Sequence, residues 1–268
     1  MRTIFTFWSF NPLSYLERMC LDSMVDVGHP VDLYTYHPEL LQDLPASVSI
    51  RDARELFPIE ATIFHRETQS PALFSDIFRY RGLQLNLGIW ADTDIFLLRN
   101  LDDLEGTICG WENDIHINNA VLYLPADHPF LARYISLFDQ KVPILPHWKM
   151  RRKLDQMLRS LIGRHQSLPE MKWGSTGPRA ITYGAKRYGF DAYPPDYFYP
   201  LPFAEAKQSF NPLFRVEDRM TENTRAVHLW HSKIKPLISL PAPHGSFVEK
   251  HCRRLQISTT NAPPPARP

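Results

Sequence analysis

The sequence is poor in cysteine and has no pattern that would use it. Its 268 residues contain three cysteines, Cys20, Cys109 and Cys252, which are odd in number and widely spaced. No C-x-x-C pair is present. These features argue against a disulfide framework and a cysteine zinc site, and they favour a reducing, cytoplasmic environment.

The chain also lacks a large net charge and long hydrophobic runs. The 30 Lys and Arg residues balance 29 Asp and Glu residues, leaving a net charge of +1 and no general electrostatic reason to bind nucleic acid. The apolar N-terminus is only about one strand long before Asn11-Pro12, which is too short for a signal sequence or a membrane span. We therefore expect no nucleic-acid partner, no membrane anchor and at most peripheral membrane contact.

The common nucleotide-binding loops and internal repeats are absent as well. The sequence has no G-x-G-x-x-G loop, no Walker-type loop and no repeat at solenoid or propeller periods. What is present is 44% hydrophobic residues over 268 positions, enough for a sizeable core. We expect one compact domain over residues 1–256, followed by a disordered, proline-rich tail at 257–268.

Strand and helix patterns alternate along the chain. An apolar strand at residues 4–8, helical spacing from Asn11-Pro12 and a second strand at 31–36 form a βαβ unit. Further strands are predicted at 48–50, 89–98, 107–111, 116–124 and 226–230, further helices at 72–87, from Pro129, at 149–164 and at 178–188, and an aromatic loop at 193–202. This alternation indicates an α/β fold with a mostly parallel central sheet.

The strongest candidate for chemistry is the D-x-D motif formed by Asp92 and Asp94. If the chain stays extended here, both side chains point the same way, because strand side chains alternate. Unpaired buried charges are costly, and oxygen ligands suit a hard cation such as Mg²⁺ or Mn²⁺. A D-x-D alone is more often a solvated turn, but apolar strand residues on both sides favour a site for metal and diphosphate.

Asp76 and Arg79 lie one turn apart on the helix that precedes this strand. The ordinary interpretation is an i,i+3 ion pair on a helix surface. Alternatively, Asp76 accepts hydrogen bonds from a base or ribose while Arg79 faces a diphosphate or sugar hydroxyls. Trp90 is either a core residue or stacks on a base or sugar.

Together these motifs resemble the DXD-containing glycosyltransferases that share a sugar-binding region with yeast α-1,6-mannosyltransferases and clostridial glucosylating toxins. The resemblance is greatest to α-1,4-galactosyl and α-1,4-N-acetylglucosaminyltransferases, and it runs in order from Leu73 to Ser232. The motifs are Phe74-Ser-Asp-Ile-Phe-Arg-Tyr-Arg, Leu87-Gly-Ile-Trp-Ala-Asp-Thr-Asp, Trp173-Gly-Ser-Thr-Gly177-Pro178, Pro194-Pro-Asp-Tyr-Phe-Tyr-Pro200 and Ala226-Val-His228-Leu-Trp230. The resemblance implies a single nucleotide-sugar-binding domain of GT-A type, with residues 141–172 as a variable insertion on the acceptor side.

The resemblance also implies a role for each residue that matches these motifs. Donor binding is assigned to Ser75, Asp76, Arg79, Trp90, Asp92, Asn118, Asn119 and His228, catalysis to Asp92, Asp94 and Arg79, the metal to Asp92, Asp94 and His228, and the acceptor side to Trp173, Gly174 and Gly177. Alone, a histidine is ordinarily structural and asparagines beside a strand ordinarily form turns. His231 and Ser232 stay secondary to His228, and Lys233 and Lys235 are candidates to offset diphosphate charge or are simply solvated.

The implied activity is transfer of a sugar, with retention of configuration, from a nucleotide-sugar donor such as a UDP-sugar to a carbohydrate hydroxyl. Mn²⁺ or Mg²⁺ is the implied cofactor. Ala91 stands where the family often has Leu, and this smaller side chain would alter the pocket beside the sugar, so the resemblance leaves the donor sugar open. The expected setting is bacterial polysaccharide or lipid-linked glycan synthesis, in the cytoplasm or at the inner face of the membrane. Two alternatives stay open, a metal-dependent phosphohydrolase or nucleotidyltransferase and a non-catalytic glycan-binding protein.

Overall fold

The computed structural model describes residues 1–172 and 174–260, and within them the chain forms eight β-strands. The strands are short, and their buried residues are almost entirely apolar, as expected for a sheet that is covered on both faces. The strands are β1 (Ile4–Phe7), β2 (Val31–Thr35), β3 (Val48–Asp52), β4 (Ile89–Ala91), β5 (Ile95–Leu97), β6 (Ile108–Trp111), β7 (Ile117–Tyr123) and β8 (Ala226–His228).

Six strands form the central sheet in the order β3-β2-β1-β4-β7-β6. The first four strands run parallel to one another, while β7 is antiparallel to both β4 and β6. The predicted α/β fold with a mostly parallel central sheet is confirmed, and its GT-A type stays a prediction. Its consequence for function is that β4 ends in the middle of the sheet, between β1 and β7.

One predicted strand, 89–98, is wrong, because the chain leaves the central sheet at the D-x-D motif. The N–H of Ile95 donates to the carbonyl of Asp92 at 3.0 Å, which closes a tight turn. Beyond this turn, β5 pairs antiparallel with β8 in a separate two-stranded sheet. Continuous apolar character on both sides of the motif concealed the break, since both short strands are buried.

Eight helices connect and cover these strands within the described residues. They are α1 (Tyr15–Asp26), α2 (Ala72–Gln84), α3 (Pro129–Ile135), α4 (Met150–Leu161), α5 (Pro178–Tyr188), α6 (Pro195–Phe198), α7 (His231–Ile234) and α8 (Phe247–Arg254). The one-turn α6 lies inside the predicted loop 193–202. Among these residues, we find no helix with the length and apolar content needed to cross a bilayer.

Two helix boundaries differ from the predictions for local reasons. The first helix begins at Tyr15 instead of Asn11-Pro12, because Ser14 and Glu17 form a capping box in which the Ser14 N–H donates to Glu17 at 2.7 Å. Helix α2 ends at Gln84, before Gly88. Gly88 serves the sheet instead: its φ is +128°, and a Cβ there would lie 2.0 Å from the Thr3 carbonyl oxygen.

The sheet separates two apolar clusters. One cluster packs α1 and α8 against β5 and β8, and the other packs α2, α3 and α5 against the opposite face. The two clusters include residues from β1 to α8, and the single domain over residues 1–256 stays a prediction. The predicted disordered tail begins at 257; residues 257–260 are described, and 261–268 lie outside the described residues.

His251 on α8 makes the fold sensitive to acid. Its ring packs against Phe96 and Phe247, with centroids 4.4 and 4.3 Å away, and burial lowers its pKa to about 4. An unfolded histidine has a pKa of about 6.5, so the unfolded chain binds the proton first as the pH falls. We expect the free energy of unfolding to drop by up to about 3 kcal/mol from this group between pH 6.5 and pH 4.

Urea unfolding of the wild-type protein and of His251→Phe at pH 7 and pH 4.5 measures this contribution. The variant is expected to lose less stability on acidification than the wild type. Equal losses in the two proteins would contradict the assignment, because all other titrating groups are shared.

Candidate active site

The turn between β4 and β5 presents both carboxylates of the D-x-D motif at one end of the central sheet. The backbone N–H of Asp92 donates to Ala120 on β7 at 2.7 Å, and the carbonyl of Asp94 accepts from the N–H of Leu229 at 3.0 Å. Each aspartate backbone is therefore tied to a different sheet. The two side chains face one site because the chain turns, and not because an extended strand continues through them as predicted.

Asp92 is held by two donors that converge on its Oδ1 atom. The guanidinium of Arg79 donates at 2.9 Å and the indole N–H of Trp90 at 2.6 Å. Trp90 is 1% exposed, its ring packs edge-on against Phe5, and the Arg79 guanidinium lies 4.8 Å from the Trp90 ring centroid. Of the two interpretations of Trp90, the structure favours the core residue, because its buried ring is not open to a base. Trp90 contributes to the site through its hydrogen bond to Asp92.

Asp94 is held by the segment that follows β8. Its Oδ2 atom accepts from the backbone N–H of His231 at 2.7 Å and lies 3.2 Å from His228 Nε2. His228 is the last residue of β8, and the chain reverses at Trp230, which has a φ of +58°. This reversal turns the His231 side chain away, so that its Nε2 lies 3.3 Å from Glu17 Oε1. Of the two histidines, only His228 brings its ring to the aspartates.

The two aspartates have opposite pKa shifts. Burial raises the pKa of Asp92 to about 6, and the charge of Asp94 acts in the same direction against Arg79. Burial also acts to raise the pKa of Asp94, but the charge and hydrogen bond of His228 and the His231 N–H outweigh it and lower the pKa. Asp94 therefore stays ionised to a lower pH than Asp92.

Asp92, Asp94 and His228 form a cluster that fits a divalent cation. One possible ligand atom from each lies within 4.8 Å of the others. Opposite ligands of a Mg²⁺ ion stand about 4.2 Å apart, so a small side-chain movement would complete a shared site. Among the described residues, Asp92 Oδ2 and Asp94 Oδ1 have no hydrogen-bond partner, and His228 faces Asp94 through Nε2. The cluster thus has unused donor atoms of the kind that hold Mn²⁺ or Mg²⁺.

Beside this cluster, Asp76 and Arg79 form a buried network. The two side chains lie 3.7 Å apart and do form an ion pair, but both are almost fully buried. The interpretation as a pair on the helix surface is therefore wrong. Asp76 accepts from the Asn119 amide at 2.9 Å and from the Thr176 hydroxyl at 2.7 Å. Both Asp76 oxygens are therefore engaged by the protein, and burial raises the pKa of this carboxyl despite the charge of Arg79.

The turn before α5 closes over this network. A Cβ on Gly177 would lie 3.2 Å from Asn119 Oδ1 and from both Asp76 carboxylate oxygens. Glycine thus permits close approach of the backbone to the network, while the acceptor-side role expected of Gly177 stays a prediction. Gly174 has a φ of +72° in the same turn. Trp173, the third residue predicted for the acceptor side, lies outside the described residues.

Thr176 is a residue of this site that the sequence analysis did not single out, although it stands inside the W-G-S-T-G-P motif. Thr176→Val keeps the shape of the side chain but removes the hydroxyl that donates to Asp76. We expect the free energy of unfolding to fall by about 2 kcal/mol, since a buried carboxylate loses a donor. Chemical denaturation measures the loss.

Thr6→Val provides the matched control. The Thr6 hydroxyl is also fully buried, but it has no hydrogen-bond partner among the described residues. Its substitution is expected to leave stability unchanged or slightly raised. Equal losses in both variants would mean that the Asp76 network contributes nothing specific.

The remaining predicted residues take positions around this centre. Ser75 Oγ lies at 3.5 Å from the Arg79 guanidinium. Asn118 donates to Glu112 at 2.8 Å and accepts from the Ala120 N–H, so its amide is engaged within β7 and the preceding loop. Lys233 lies 4.3 Å from the Phe203 ring centroid, while Lys235 and Ser232 are exposed. None of these contacts assigns the predicted donor roles, which stay predictions.

Two further residues that support the site went unnoticed in the sequence. Tyr199, in the P-P-D-Y-F-Y-P motif, is buried with its ring centroid 5.8 Å from that of His228, and Trp230 stacks on the same histidine at 3.8 Å. Glu17 on α1 binds both Ser14 and the His231 ring. The motif that contains Tyr199 could have pointed to this residue. The sequence around Glu17 predicts only a helix cap.

Known glycosyltransferases are similar to part of this chain. Residues 156–256 match the model of the alpha 1,4-glycosyltransferase conserved region. The mouse lactosylceramide 4-alpha-galactosyltransferase is 29% identical over 206 residues, covering 76% of this chain and 50% of that protein. The rat enzyme of the same name is 29% identical over 206 residues, covering 76% of this chain and 49% of that protein. The chain thus spans about half the length of these curated relatives.

A solved structure of a transferase mutant is also similar. It has a TM-score of 0.35 and 13% sequence identity, over 71% of this chain and 91% of that chain, which is too low to support an argument on its own. The conserved region, the relatives and the D-x-D motif agree with the family predicted from the sequence. They support the resemblance to the DXD-containing glycosyltransferases, and to the α-1,4-galactosyltransferases among them, that the sequence motifs indicate.

Proposed function

We propose that the protein is a divalent-cation-dependent, retaining glycosyltransferase that transfers a hexosyl group from a UDP-sugar to a carbohydrate hydroxyl. The observation that carries this proposal is the cluster of Asp92, Asp94 and His228, in which both carboxylates keep an oxygen free for a ligand. The relatives' name, which contains 4-alpha-galactosyltransferase, favours galactose as the donor sugar and a glycolipid or glycan as the acceptor.

The charges around the cluster support a cation. Three carboxylates, those of Asp76, Asp92 and Asp94, meet in or beside the site, and among the described residues Arg79 is the one guanidinium that binds them. At pH 7 Asp92, with a pKa of about 6, and Asp94 are both ionised, so the single positive charge of Arg79 leaves an excess of negative charge before any diphosphate arrives. A nucleoside diphosphate would add to that excess, so a divalent ion must offset it for donor and protein to bind.

When bound, Mn²⁺ or Mg²⁺ supplies Lewis-acid stabilisation of the negative charge on the departing diphosphate. The protein's own residues do the rest. Arg79 fixes Asp92, His228 and the His231 N–H fix Asp94, and Gly177 lets the backbone pack closely over Asp76 and Asn119. Fixed donors of this kind need no reorganisation during the reaction, which is the main source of electrostatic catalysis.

The predicted retention of configuration and the predicted bacterial, cytoplasmic setting stay part of this proposal. The acceptor would enter near the turn at 174–177, beside the variable segment 141–172. That segment follows β7 and α3 and contains α4.

The experiment is a turnover screen of the purified protein against UDP-glucose, UDP-galactose, their N-acetyl forms and GDP-mannose. Release of UDP or GDP is measured with Mn²⁺, with Mg²⁺ and with a chelator. We expect release from one UDP-sugar, dependent on the cation, and faster release when a glycan acceptor is added.

Two outcomes would contradict the proposal and favour the alternatives. Release of inorganic phosphate or pyrophosphate in place of a nucleoside diphosphate would indicate a phosphohydrolase or nucleotidyltransferase. Cation-dependent binding of a donor without turnover on a broad acceptor panel would indicate a glycan-binding protein with an inactive catalytic domain.

A further inference from the structure

Helix α4 presents an unusual surface, because its apolar residues face outward. Met150, Leu154, Met157, Leu158 and Leu161 recur at intervals of three and four residues, so they form one stripe along the helix. Their exposed fractions range from 48% to 81%, and Ile162, directly after the helix, is 66% exposed. We refer to these six residues as the α4 stripe.

The protein side of α4 is polar. Gln156 is the buried residue of the helix, and its side chain bonds the carbonyls of Pro143 and Gln166 and the N–H of Gln166. The helix is therefore anchored by amide hydrogen bonds while its apolar side chains remain in water. This arrangement reverses the usual orientation of an amphipathic helix in a soluble domain, where the apolar face is buried.

Positive charge surrounds the α4 stripe. Residues 149–164 contain six Lys and Arg residues and one Asp, a net charge of +5, whereas the whole chain carries +1. The rest of the chain is thus net negative. Asp155 pairs with Arg159 at 2.7 Å, and Arg152 stacks on Trp148 at 4.0 Å. In the described part of the chain, no carboxylate lies within ion-pair distance of Lys149, Arg151, Lys153 or Arg164.

We propose that α4 is a membrane-docking helix that lies in the interface of an anionic lipid bilayer. The α4 stripe would enter the boundary between headgroups and acyl chains, and the flanking cations would contact anionic headgroups. A contiguous apolar patch with a rim of unpaired cations fits this partner better than a second copy of the chain, because two segments of +5 charge would repel each other. The inference is independent of the proposed sugar transfer.

The test is vesicle flotation of the full protein, without donor or metal. We expect the bound fraction to be at least about fivefold higher on vesicles of phosphatidylcholine with 30% phosphatidylglycerol than on phosphatidylcholine alone, and to fall at high salt. The double variant Leu154→Gln/Leu158→Gln is expected to lose this binding. Because both side chains are exposed, the variant should fold, which its circular dichroism and melting temperature check.

The matched control is Leu213→Gln/Leu240→Gln, which removes two leucines that are 93% and 60% exposed elsewhere on the surface. It is expected to bind vesicles like the wild type. Equal binding by both double variants, or equal binding to neutral and anionic vesicles, would overturn the proposal. So would an absence of vesicle binding, together with a dimer that only Leu154→Gln/Leu158→Gln dissociates, which would assign the stripe to self-association.

Discussion

Asp94→Asn is expected to reduce cation-dependent donor turnover by about 10³-fold, which corresponds to about 4 kcal/mol of transition-state stabilisation. His228 and the His231 N–H lower the pKa of Asp94. Asp94 therefore carries the negative charge that a metal ligand needs. An amide retains the shape and can still accept from the His231 N–H. It removes the negative charge that the cation requires. Turnover is measured as release of nucleoside diphosphate.

The control for this prediction is Asp139→Asn, which removes an exposed carboxylate that has no ion-pair partner among the described residues. It should turn over donor at the wild-type rate. A folded Asp94→Asn protein with wild-type turnover would contradict the assignment of Asp94 to the metal. The melting temperature of each variant separates loss of chemistry from loss of structure.

Arg79→Lys is expected to lower turnover by about 10²-fold and stability by about 2 kcal/mol. The Arg79 guanidinium binds Asp92 at 2.9 Å and also donates to the carbonyl of Asn119, while its plane lies over the Trp90 ring. A lysine keeps the charge but offers a single ammonium, which cannot reach both groups. Asp92 would then lose its position relative to Asp94.

Arg81→Lys serves as the matched control, because Arg81 is on the same helix and donates to Gln84 at 2.6 Å, away from the aspartates. It is expected to retain wild-type turnover and stability. Similar losses in the two variants would show that any arginine on α2 supports the fold, and that Arg79 has no special role in the site.

The sequence predicted the parts of the fold that depend on local pattern. The βαβ unit at the N-terminus and helix α5 agree with the prediction, because apolar periodicity and glycine signals are local. The break between β4 and β5 was missed, since both strands are buried and a buried strand reads as a continuous apolar run. The break is set by the pairing of β5 with β8. The two strands are far apart in the sequence, so a local pattern does not predict this pairing.

The same limit applies to the candidate site. Asp92, Asp94 and His228 were predicted to share a metal, and the structure brings them together across 134 residues of sequence separation. The roles of Thr176 and Glu17 depend on which side chain happens to lie opposite them. Trp90 was open to two interpretations, and burial under Arg79 decided for the core. Long-range contacts of this kind need the tertiary structure.

The central claim is that Asp92, Asp94 and His228 form one divalent-cation site that a nucleoside diphosphate completes. Electron paramagnetic resonance of Mn²⁺ titrated into the protein, with and without UDP, tests it most directly. The account predicts one bound Mn²⁺ per chain, at least about tenfold tighter binding with UDP, and loss of binding in Asp94→Asn. No specific Mn²⁺ binding in the wild type, or equal binding in Asp94→Asn, would contradict it.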